Sequence, residues 1–518
     1  MKDGMSYHNR RFVELLEEKT RRRISVPRSR RIVRAGPSVP RPRGRTVSHV
    51  IPSGKPSKAG PRAICNNLYD YLQRSALILA PERDEYYGSL TEIVLNDEGS
   101  EKQVLADEAY NSFLLFSFIA YLVDEGTIFY QGTPGSSKTS AAKLIAHYLY
   151  GIPLQDIERA TIKGHEGITD TDMLAMLDMG ILIKEGREEP RARPFVKSMV
   201  RILDEVNRLS KDARNVLYSI ASDGEAEYRG RIFTAPPGPL ITTANYIDQA
   251  NSELEAPFKD RLDIQIETST FNPFYIELFR ERKQKNLRRA LKDIAGNPRY
   301  LTAADLRIAK HEINSIKFSE EAMAKFAYFL AEANYCTMVR RDVNKKKKGL
   351  AAKVKPGNEL CGQCHYAAGD NICYMSPDEI TSRSIRAIFN FSAGLAWWRG
   401  KSEVGIEELR AVVPYALSHK LSPTEKAKKI DGIYVNDGPA FVHDMFEKAE
   451  RNYELVVQKA PIVKKLAKMV YDAYKFGAQS GIDRDEVLEK LKDEVPNIDS
   501  PAKFAFSAAL TDLLYVLK

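Results

Sequence analysis

The sequence predicts an α/β fold in which a parallel sheet is covered by helices on both faces and is followed by a mainly α-helical second half. In the first half, short apolar runs typical of strands alternate with stretches of helical periodicity, and such alternation is typical of parallel sheets. One of these runs leads through a glycine-containing loop directly into a helix. Beyond about Phe271 the strand signals largely stop, which predicts the helical second half.

The individual elements follow from apolar periodicity. In the first half we predict a helix, a strand, a helix and two further strands over residues 105–123, 127–131, 138–150, 200–203 and 240–243. In the second half we predict helices over residues 319–335, 380–398, 405–418 and 462–477. Alternating residue types predict a β-hairpin over residues 225–233.

Charge is distributed unevenly along the 518 residues. Residues 1–62 contain seventeen Lys and Arg but four Asp and Glu, whereas the rest of the chain has a net charge of −4. This tail is also rich in Pro, Gly and Ser, so we expect disorder there apart from a short amphipathic helix over residues 9–23. A basic tail indicates loose attraction to anionic partners, whereas an evolved nucleic-acid surface would make the folded body basic.

The sequence also bears on cellular location. The longest uncharged apolar stretch, residues 111–123, has thirteen residues, whereas a helix that spans a bilayer needs roughly 20. The first residues lack the apolar core of a signal peptide, and Glu14, Glu17 and Glu18 argue against a mitochondrial transit peptide. We therefore predict a cytoplasmic protein without a membrane span.

The glycine-containing loop has the sequence Gly-Thr-Pro-Gly-Ser-Ser-Lys-Thr and lies between a strand and a helix, as a phosphate-binding loop requires. Its backbone N–H groups and the helix N-terminus are predicted to face the phosphates of ATP. Lys138 is predicted to neutralise the β and γ oxygens, and Thr139 to offer its hydroxyl to Mg²⁺. Ser137 stands where the general pattern has glycine. The residues expected to hold the nucleotide are Gly132, Thr133, Pro134, Gly135, Ser136, Ser137, Lys138 and Thr139.

Two acidic residues, Asp204 and Glu205, end a mostly apolar run. At the carboxyl end of a strand in the same sheet, Asp204 is predicted to hold Mg²⁺ and Glu205 to polarise the attacking water as a general base. An Asp-Glu pair by itself is common, and its position relative to the phosphate loop is what makes it informative.

The residues around this pair, Asp204-Glu-Val-Asn-Arg208 followed by Leu209-Ser-Lys-Asp-Ala-Arg-Asn-Val-Leu217, resemble the MoxR family of AAA+ ATPases. MCM helicases and magnesium chelatase subunits share parts of the pattern. In these families the phosphate loop often reads Gly-x-Pro-Gly-x-Ala-Lys-Ser/Thr, and the loop of this chain follows that variant with Ser137 in place of Ala. The resemblance therefore accounts for the absent glycine.

The resemblance implies roles for three further residues. Asn245, at the end of Ile241-Thr-Thr-Ala-Asn245, corresponds to the first sensor, which contacts the attacking water or the γ-phosphate. Arg261 corresponds to an arginine finger that reaches the nucleotide of a neighbouring subunit; an ordinary Asp-Arg surface pair is the alternative interpretation. Arg383 corresponds to the second sensor of the lid, with Arg386 as the rival candidate.

The resemblance also implies an architecture: an AAA+ αβα sandwich with a helical lid, assembled into a ring that is expected to be a hexamer. We divide the chain into a tail (1–62), a nucleotide-binding domain (63–270), a lid with a cysteine-containing insertion (271–430; insertion 336–373) and a C-terminal helical region (431–518). Two hairpins or insertions that mark this branch are expected within residues 161–194 and 224–237.

Four cysteines, Cys336, Cys361, Cys364 and Cys373, cluster within 38 residues. Four thiolates suit a structural, tetrahedral Zn²⁺ site; an iron–sulfur cluster is the alternative, and His365 could replace one cysteine, Cys336 being the first candidate. The basic loop 339–355 lies between the first two cysteines, and a solvated loop is its simplest interpretation.

Two functions are compatible with these observations. By resemblance to MoxR-type ATPases, the chain would hydrolyse ATP to remodel a protein partner, which could be a protein with a von Willebrand factor A domain. The alternative is an MCM-like, DNA-dependent ATPase that binds nucleic acid through the basic tail and the loop 339–355.

Overall fold

A computed structural model describes residues 55–74, 91–95, 101–105, 111–124, 126–135, 138–246, 254–268, 276–277, 280, 300–336, 364–367, 371–430 and 432–517. The predicted helix over residues 9–23 and the basic loop 339–355 lie outside these ranges. Residues 55–60, which we had assigned to the tail, contact the folded body: the N–H of Ser57 donates to Asp305 Oδ1 at 2.8 Å.

The described residues form thirteen strands: β1 (Thr91–Leu95), β2 (Glu101–Leu105), β3 (Thr127–Gly132), β4 (Thr161–Lys163), β5 (Ala175–Leu177), β6 (Pro190–Ala192), β7 (Arg201–Asp204), β8 (Glu225–Tyr228), β9 (Arg231–Thr234), β10 (Leu240–Ala244), β11 (Ile264–Thr268), β12 (Lys317–Phe318) and β13 (Glu403–Val404). The α-helices among them are α1 (Pro61–Arg74), α2 (Ser112–Leu122), α3 (Lys138–Tyr150), α4 (Leu154–Arg159), α5 (Asp170–Met173), α6 (Met179–Glu185), α7 (Pro194–Lys197), α8 (Lys211–Asp223), α9 (Ala256–Lys259), α10 (Ala303–Ser315), α11 (Glu320–Asn334), α12 (Ser382–Trp398), α13 (Ile406–Leu417), α14 (Glu425–Ile430), α15 (Gly438–Lys459), α16 (Val463–Phe476), α17 (Arg484–Asp493) and α18 (Lys503–Val516).

The central sheet has five parallel strands in the order β11-β3-β10-β7-β4. Consecutive side chains of a strand point to opposite faces, and on β3 Ile128 and Tyr130 join one buried cluster whereas Phe129 joins the other. Helices α2 and α3 pack into the first cluster and α8 into the second. The predicted α/β fold with a parallel sheet covered on both faces is confirmed.

The second half of the chain is mainly helical, as predicted, and its helices share a core with the sheet. Helix α12 crosses α2 at close range: a Cβ atom on Gly394 would lie 2.5 Å from Ile119 Cγ2. Next to this crossing, Trp397 and Trp398 are buried, and the Trp398 ring packs edge-on against Tyr69 of α1. The helical half is thus built onto one face of the sheet.

The structure corrects three predictions about elements. The helix predicted from residue 105 begins at Ser112, because the Asn111 side chain accepts from the N–H of Leu114 at 3.1 Å and caps it, and residue 105 ends strand β2. Strand β4, which we had included in the first insertion, belongs to the central sheet, and the hairpin of that insertion is β5–β6. Strand β11, which periodicity had not indicated, is an edge strand of the sheet.

The predicted hairpin over residues 225–233 is confirmed as β8–β9. Within the described ranges, no helix is both long and apolar enough to cross a membrane. The domain boundaries at residues 62, 270 and 430 stay predictions; residues 48–518 group as one compact unit.

Replacing Gly394 with alanine should destabilise the protein. The added Cβ would overlap Ile119 Cγ2 at the crossing of α12 and α2, and overpacking of a core typically costs about 1–3 kcal/mol. Denaturant unfolding of the two proteins measures the difference. Gly432→Ala is the matched control, since a Cβ there meets nothing within 4 Å; equal stability of the Gly394 variant and wild type would contradict the close crossing.

Candidate nucleotide-binding site

The predicted phosphate loop leaves the carboxyl end of β3 and enters α3, as the motif requires. Gly132 cannot carry a side chain here, because a Cβ would lie 2.0 Å from Thr268 Oγ1 and 2.8 Å from the Thr268 carbonyl oxygen. Gly135 has a φ of +85°, which favours glycine. Ser136 and Ser137 lie outside the described residues. The local sequence therefore builds a tight turn between strand and helix.

Lys138 is buried at the mouth of this loop. Its Nζ donates to the carbonyl oxygens of Gly132 and Thr133, both at 2.8 Å, and to Asn245 Oδ1 at 3.3 Å. Burial lowers the pKa of Lys138, and the carboxylates of Asp204 and Glu205 oppose that shift. The ammonium group is thus positioned by loop carbonyls and by the predicted sensor, Asn245.

Asp204 is the last residue of β7 and lies beside the phosphate loop. Its Oδ1 accepts hydrogen bonds from Thr139 Oγ1 and, at 2.7 Å, from Thr243 Oγ1. Thr139 and Asp204 are 65 positions apart in the sequence and meet because β3, β10 and β7 are adjacent. A hydroxyl and a carboxylate at one point suit Mg²⁺, which prefers oxygen ligands, so these residues fit the ion that the motif implies.

Glu205 follows directly and has a left-handed backbone with φ of 56°. Its N–H donates to Thr243 Oγ1 at 3.1 Å, and its carboxylate accepts from Asn245 Nδ2 at 3.4 Å. The carboxylate also lies 3.3 Å from Arg208. A non-glycine residue in this conformation costs about 1–3 kcal/mol and is characteristic of functional sites. The geometry therefore aims Glu205 toward Asn245 and the loop.

Sequence reasoning missed two residues that shape this edge. Thr243 links Asp204 to the Glu205 backbone through one hydroxyl; its position in the strand that ends at the predicted sensor was the available signal. The N–H of Gly164 donates to the Asp204 carbonyl at 2.6 Å, and a Cβ on Gly164 would lie 2.2 Å from the Glu205 carbonyl oxygen. Because that contact forms only in the folded sheet, a lone glycine after β4 did not reveal it.

The two predicted arginines lie elsewhere. The carbonyl oxygen of Arg261 accepts from Thr127 Oγ1 at 3.1 Å, at the start of β3, whereas the phosphate loop follows its end. The six residues of β3 separate the two by about 17 Å of strand. Arg383 pairs with Asp260 Oδ2 at 3.0 Å and so lies beside Arg261. Arg261 and the residue that Arg383 contacts therefore lie at the opposite end of β3 from the phosphate loop.

Arg386, the rival to Arg383, is exposed one turn further along α12. Its charge acts on the buried groups Asp263 and Lys420, whereas Arg383 reaches the residue next to Arg261. The structure therefore pairs Arg383 directly with Asp260, the residue before the predicted finger, whereas Arg386 acts through its charge on Asp263.

Three of the four predicted metal-binding cysteines are described, and Cys361 lies outside the described residues. Cys336 follows α11, and Cys364 and Cys373 adjoin two short 3-10 turns, His365–Ala367 and Ile372–Tyr374. Across the part of the chain that the structure describes, His443, Asp444 and Glu447 are the one group of three or more ligand-type residues close enough to share an ion. The three described cysteines do not form such a group without Cys361, and the zinc site stays a prediction.

His365, the possible replacement for a cysteine ligand, and the group of His443, Asp444 and Glu447 each make ion-pair contacts. His365 Nε2 lies 3.6 Å from Asp499 Oδ1. In the second group, His443 lies between Asp444 and Glu447, 3.6 Å and 3.8 Å away through its two different ring nitrogens. That arrangement is typical of an ion-paired histidine, whose pKa is raised chiefly by the hydrogen bond to Asp444.

Comparison with known proteins identifies the domain that this site occupies. Residues 127–262 match a family model described as an AAA domain of the dynein-related subfamily. The chain contains an AAA domain. The match begins at β3 and ends just after Arg261, so it includes the phosphate loop, the Asp-Glu pair and Asn245. The predicted resemblance to AAA+ proteins is confirmed over these residues.

Two solved structures resemble this chain. One is a proposed ATPase from Cytophaga hutchinsonii, 14% identical, with 75% of this chain and 96% of that chain covered and a TM-score of 0.49. The other is a full-length MCM homologue from Methanopyrus kandleri, 12% identical, with 72% and 64% covered and a TM-score of 0.39. These likenesses say nothing about activity. No curated protein matches the sequence.

Replacing Thr243 with valine should weaken the use of Mg²⁺ and ATP. The change keeps the shape of the side chain but removes the donor to Asp204 and the acceptor for the Glu205 N–H. A hydrogen bond to a charged group contributes about 1.5–3 kcal/mol, so we expect at least about a tenfold loss in kcat/KM for Mg-ATP. Steady-state ATPase assays across a Mg²⁺ series measure it.

Thr242→Val is the control for this experiment. Thr242 is the preceding residue of the same strand, and its hydroxyl donates to the Ile128 carbonyl oxygen, away from Asp204. The two variants lose the same atom from the same strand. Equal losses of activity in both would show that Thr243 has a structural and not a site-specific role.

Proposed function

We propose that this AAA+ protein hydrolyses ATP at the interfaces between copies of itself in a ring, and that the cycle remodels a protein partner. The observation that supports this most strongly is the division of the predicted residues between two edges of one sheet. Lys138, Thr139, Asp204, Glu205 and Asn245 meet at the carboxyl ends of the strands. Arg261 lies near their amino ends, and Arg383 contacts the residue before it, Asp260.

Each group at the first edge has a chemical task. Lys138 would neutralise phosphate charge, and Thr139 and Asp204 would hold Mg²⁺, which supplies electrostatic stabilisation of the transferred phosphoryl group. Glu205 would accept the proton of the attacking water, with Asn245 orienting that carboxylate through its amide. Three hydrogen bonds support these roles: Lys138 donates to Asn245, Thr139 donates to Asp204, and Asn245 donates to Glu205.

The second edge explains the need for a ring. The Arg261 backbone lies about 17 Å of strand from the phosphate loop of its own chain, a distance that its side chain does not cover, and Arg383 contacts the preceding residue, Asp260. In a closed head-to-tail ring, one subunit presents its second edge to the first edge of the next. Both arginines would then stabilise charge on the nucleotide of the neighbour. A hexamer is the ring size that the family resemblance suggests.

A mixing experiment tests hydrolysis in trans. Arg261→Ala should lower kcat by about 10³-fold or more, as loss of an arginine finger does, and Glu205→Gln should bind ATP but lose turnover. In an equimolar mixture, about a quarter of the interfaces of a randomly assembled ring join an intact site to an intact finger. ATPase activity should therefore reappear on mixing.

The outcome is decisive because each variant keeps what the other lacks. Lys138→Ala with Glu205→Gln serves as the negative mixture, since neither protein has an intact site. Activity that stays absent when Arg261→Ala and Glu205→Gln are mixed would contradict catalysis in trans. Full activity of Arg261→Ala alone would show that Arg261 is an ordinary surface residue.

Charge on the two insertions supports a protein partner over nucleic acid. The insertions are tied together: Arg229 of the β8–β9 hairpin pairs with Glu188 at 2.7 Å, and Tyr228 bonds to Thr171. The second arginine of that hairpin, Arg231, contacts the Pro190 carbonyl oxygen at 3.4 Å. The basic groups of the hairpin are therefore engaged within the protein. We therefore propose that the client is a protein, for example one with a von Willebrand factor A domain. We also propose a cytoplasmic location.

DNA binding is the alternative, and it has a distinct signature. For a protein-remodelling ATPase we expect single- and double-stranded DNA to change the ATPase rate by less than about twofold across a salt series. A DNA-dependent motor would instead show strong stimulation that falls steeply with salt, because neutralised phosphates release counterions. Removal of residues 1–54 in parallel separates an effect of the basic tail from one of the folded body.

A further inference from the structure

The segment that carries Arg261, residues 255–263, is held by side chains from distant parts of the chain. At its start, the buried Arg214 of α8 donates to Glu255 Oε1 at 2.8 Å. Near its end, the ring of His419 lies 2.9 Å from the Leu262 carbonyl oxygen through Nε2. Burial, and then the charge of Lys420, hold the pKa of His419 well below its usual value. Because a carbonyl oxygen only accepts, Nε2 is the donor in this contact.

Asp260, the residue before Arg261, makes the central contact. Its Oδ1 accepts from Thr381 Oγ1 at 2.6 Å, and its Oδ2 lies 3.0 Å from Arg383 Nη1. Thr381 is also the residue that caps α12, since its hydroxyl accepts from the Ser384 N–H at 3.2 Å. One carboxylate thus joins the first turn of α12 to the residue that precedes Arg261.

The surroundings influence the strength of this contact. The Asp260 side chain is 21% exposed and the Arg383 side chain 44%, so water competes for the arginine more than for the carboxylate, and the pair is partly screened. Lys420 is nearby: burial lowers its pKa to about 8, while Asp263 and Asp260 oppose that shift. Asp263 in turn accepts from the Thr127 N–H at 2.9 Å, at the start of β3. The contact is therefore anchored to the sheet on one side and to α12 on the other.

We propose that Asp260 is a positioning residue that holds Arg261 and Arg383 as one unit for delivery to the nucleotide of a neighbouring copy. The proposal rests on the proposed hydrolysis in trans. Asp260 does not touch the nucleotide in this account. It acts because two long side chains from different elements must reach one phosphoryl group together, and ordering them beforehand lowers the entropic cost of that alignment.

If Asp260 restrained Arg383 and did not position it, replacing Asp260 would have the opposite effect on ATP binding and turnover. If its carboxylate held Arg383 away from the γ-phosphate, removing that charge would release Arg383 and improve nucleotide binding. Positioning predicts instead a lower kcat with little change in KM for ATP, because the nucleotide is held mainly by the loop of the other subunit. The split between kcat and KM separates the two roles.

The experiment uses the full chain with steady-state ATPase kinetics. Asp260→Asn and Thr381→Val should each lower kcat about tenfold while KM for ATP stays within about twofold, and Thr381→Ser, which keeps the hydroxyl, should retain near wild-type kcat. The matched control is Asp124→Asn. Asp124 also joins the helical half to the rest, accepting from Lys310 at 2.9 Å and Asn314 at 3.1 Å, but it does not touch residues 255–263.

A mixing assay shows where the loss occurs. The double variant Glu205→Gln with Asp260→Asn can only donate its arginines, so it should rescue Arg261→Ala about tenfold less well than Glu205→Gln alone. Thermal unfolding checks that each variant is folded, and the Thr381 pair carries the test if Asp260→Asn is not.

The outcomes divide cleanly. Wild-type kcat in both Asp260→Asn and Thr381→Val, with Arg261→Ala inactive, would overturn the positioning role and leave the proposed function standing. A lowered KM with kcat unchanged or raised would also overturn it, in favour of the restraining role. Wild-type kcat in Arg261→Ala would instead overturn the proposed function on which the inference rests.

Discussion

The parallel pairing of β10 between β3 and β7 is the constraint on which the site depends. Its register sets Thr243 opposite Tyr130 and Thr242 opposite both Phe129 and Leu203. Parallel strands end at the same edge of a sheet, so the polar residues that follow each strand meet there. Thr139, Asp204 and Thr243 are tens of positions apart in the sequence, and they are in contact because these strands pair. The candidate nucleotide-binding edge is therefore a consequence of sheet register.

The same edge is packed closely enough to restrict which residues fit. Gly132 lies against Thr268 of the neighbouring strand, and Gly164 lies against the Glu205 backbone. The lysine ammonium is buried and is stabilised by carbonyl groups of its own loop. Glu205 has an unfavourable left-handed backbone conformation, which directs its carboxylate toward Asn245. Rigidity of this kind suits a site whose chemistry depends on placing charges and not on forming covalent intermediates.

The helical half completes the opposite edge. It packs onto one face of the sheet through a close helix crossing and buried tryptophans, and it reaches the segment before β11 through Asp260 and Leu262. The residues predicted to serve a neighbouring nucleotide thus belong to two parts of the chain that the fold joins. In the proposed ring, this geometry would connect the helical lid physically to the arginine that each subunit presents to the next.

Local sequence determined much of this protein. The strand, loop and helix around Lys138, the Asp204-Glu205 pair at a strand end, the β8–β9 hairpin and four helices of the second half all follow from periodicity and motif spacing, because such signals depend on neighbours within a few turns. Tertiary structure alone decided that β4 and β11 join the sheet, since short edge strands carry little periodicity. It also decided that one hydroxyl of Thr243 links both acidic residues. The pairing of Arg383 with Asp260 spans 123 positions, and a contact of that range depends on which elements pack together, which no local pattern records.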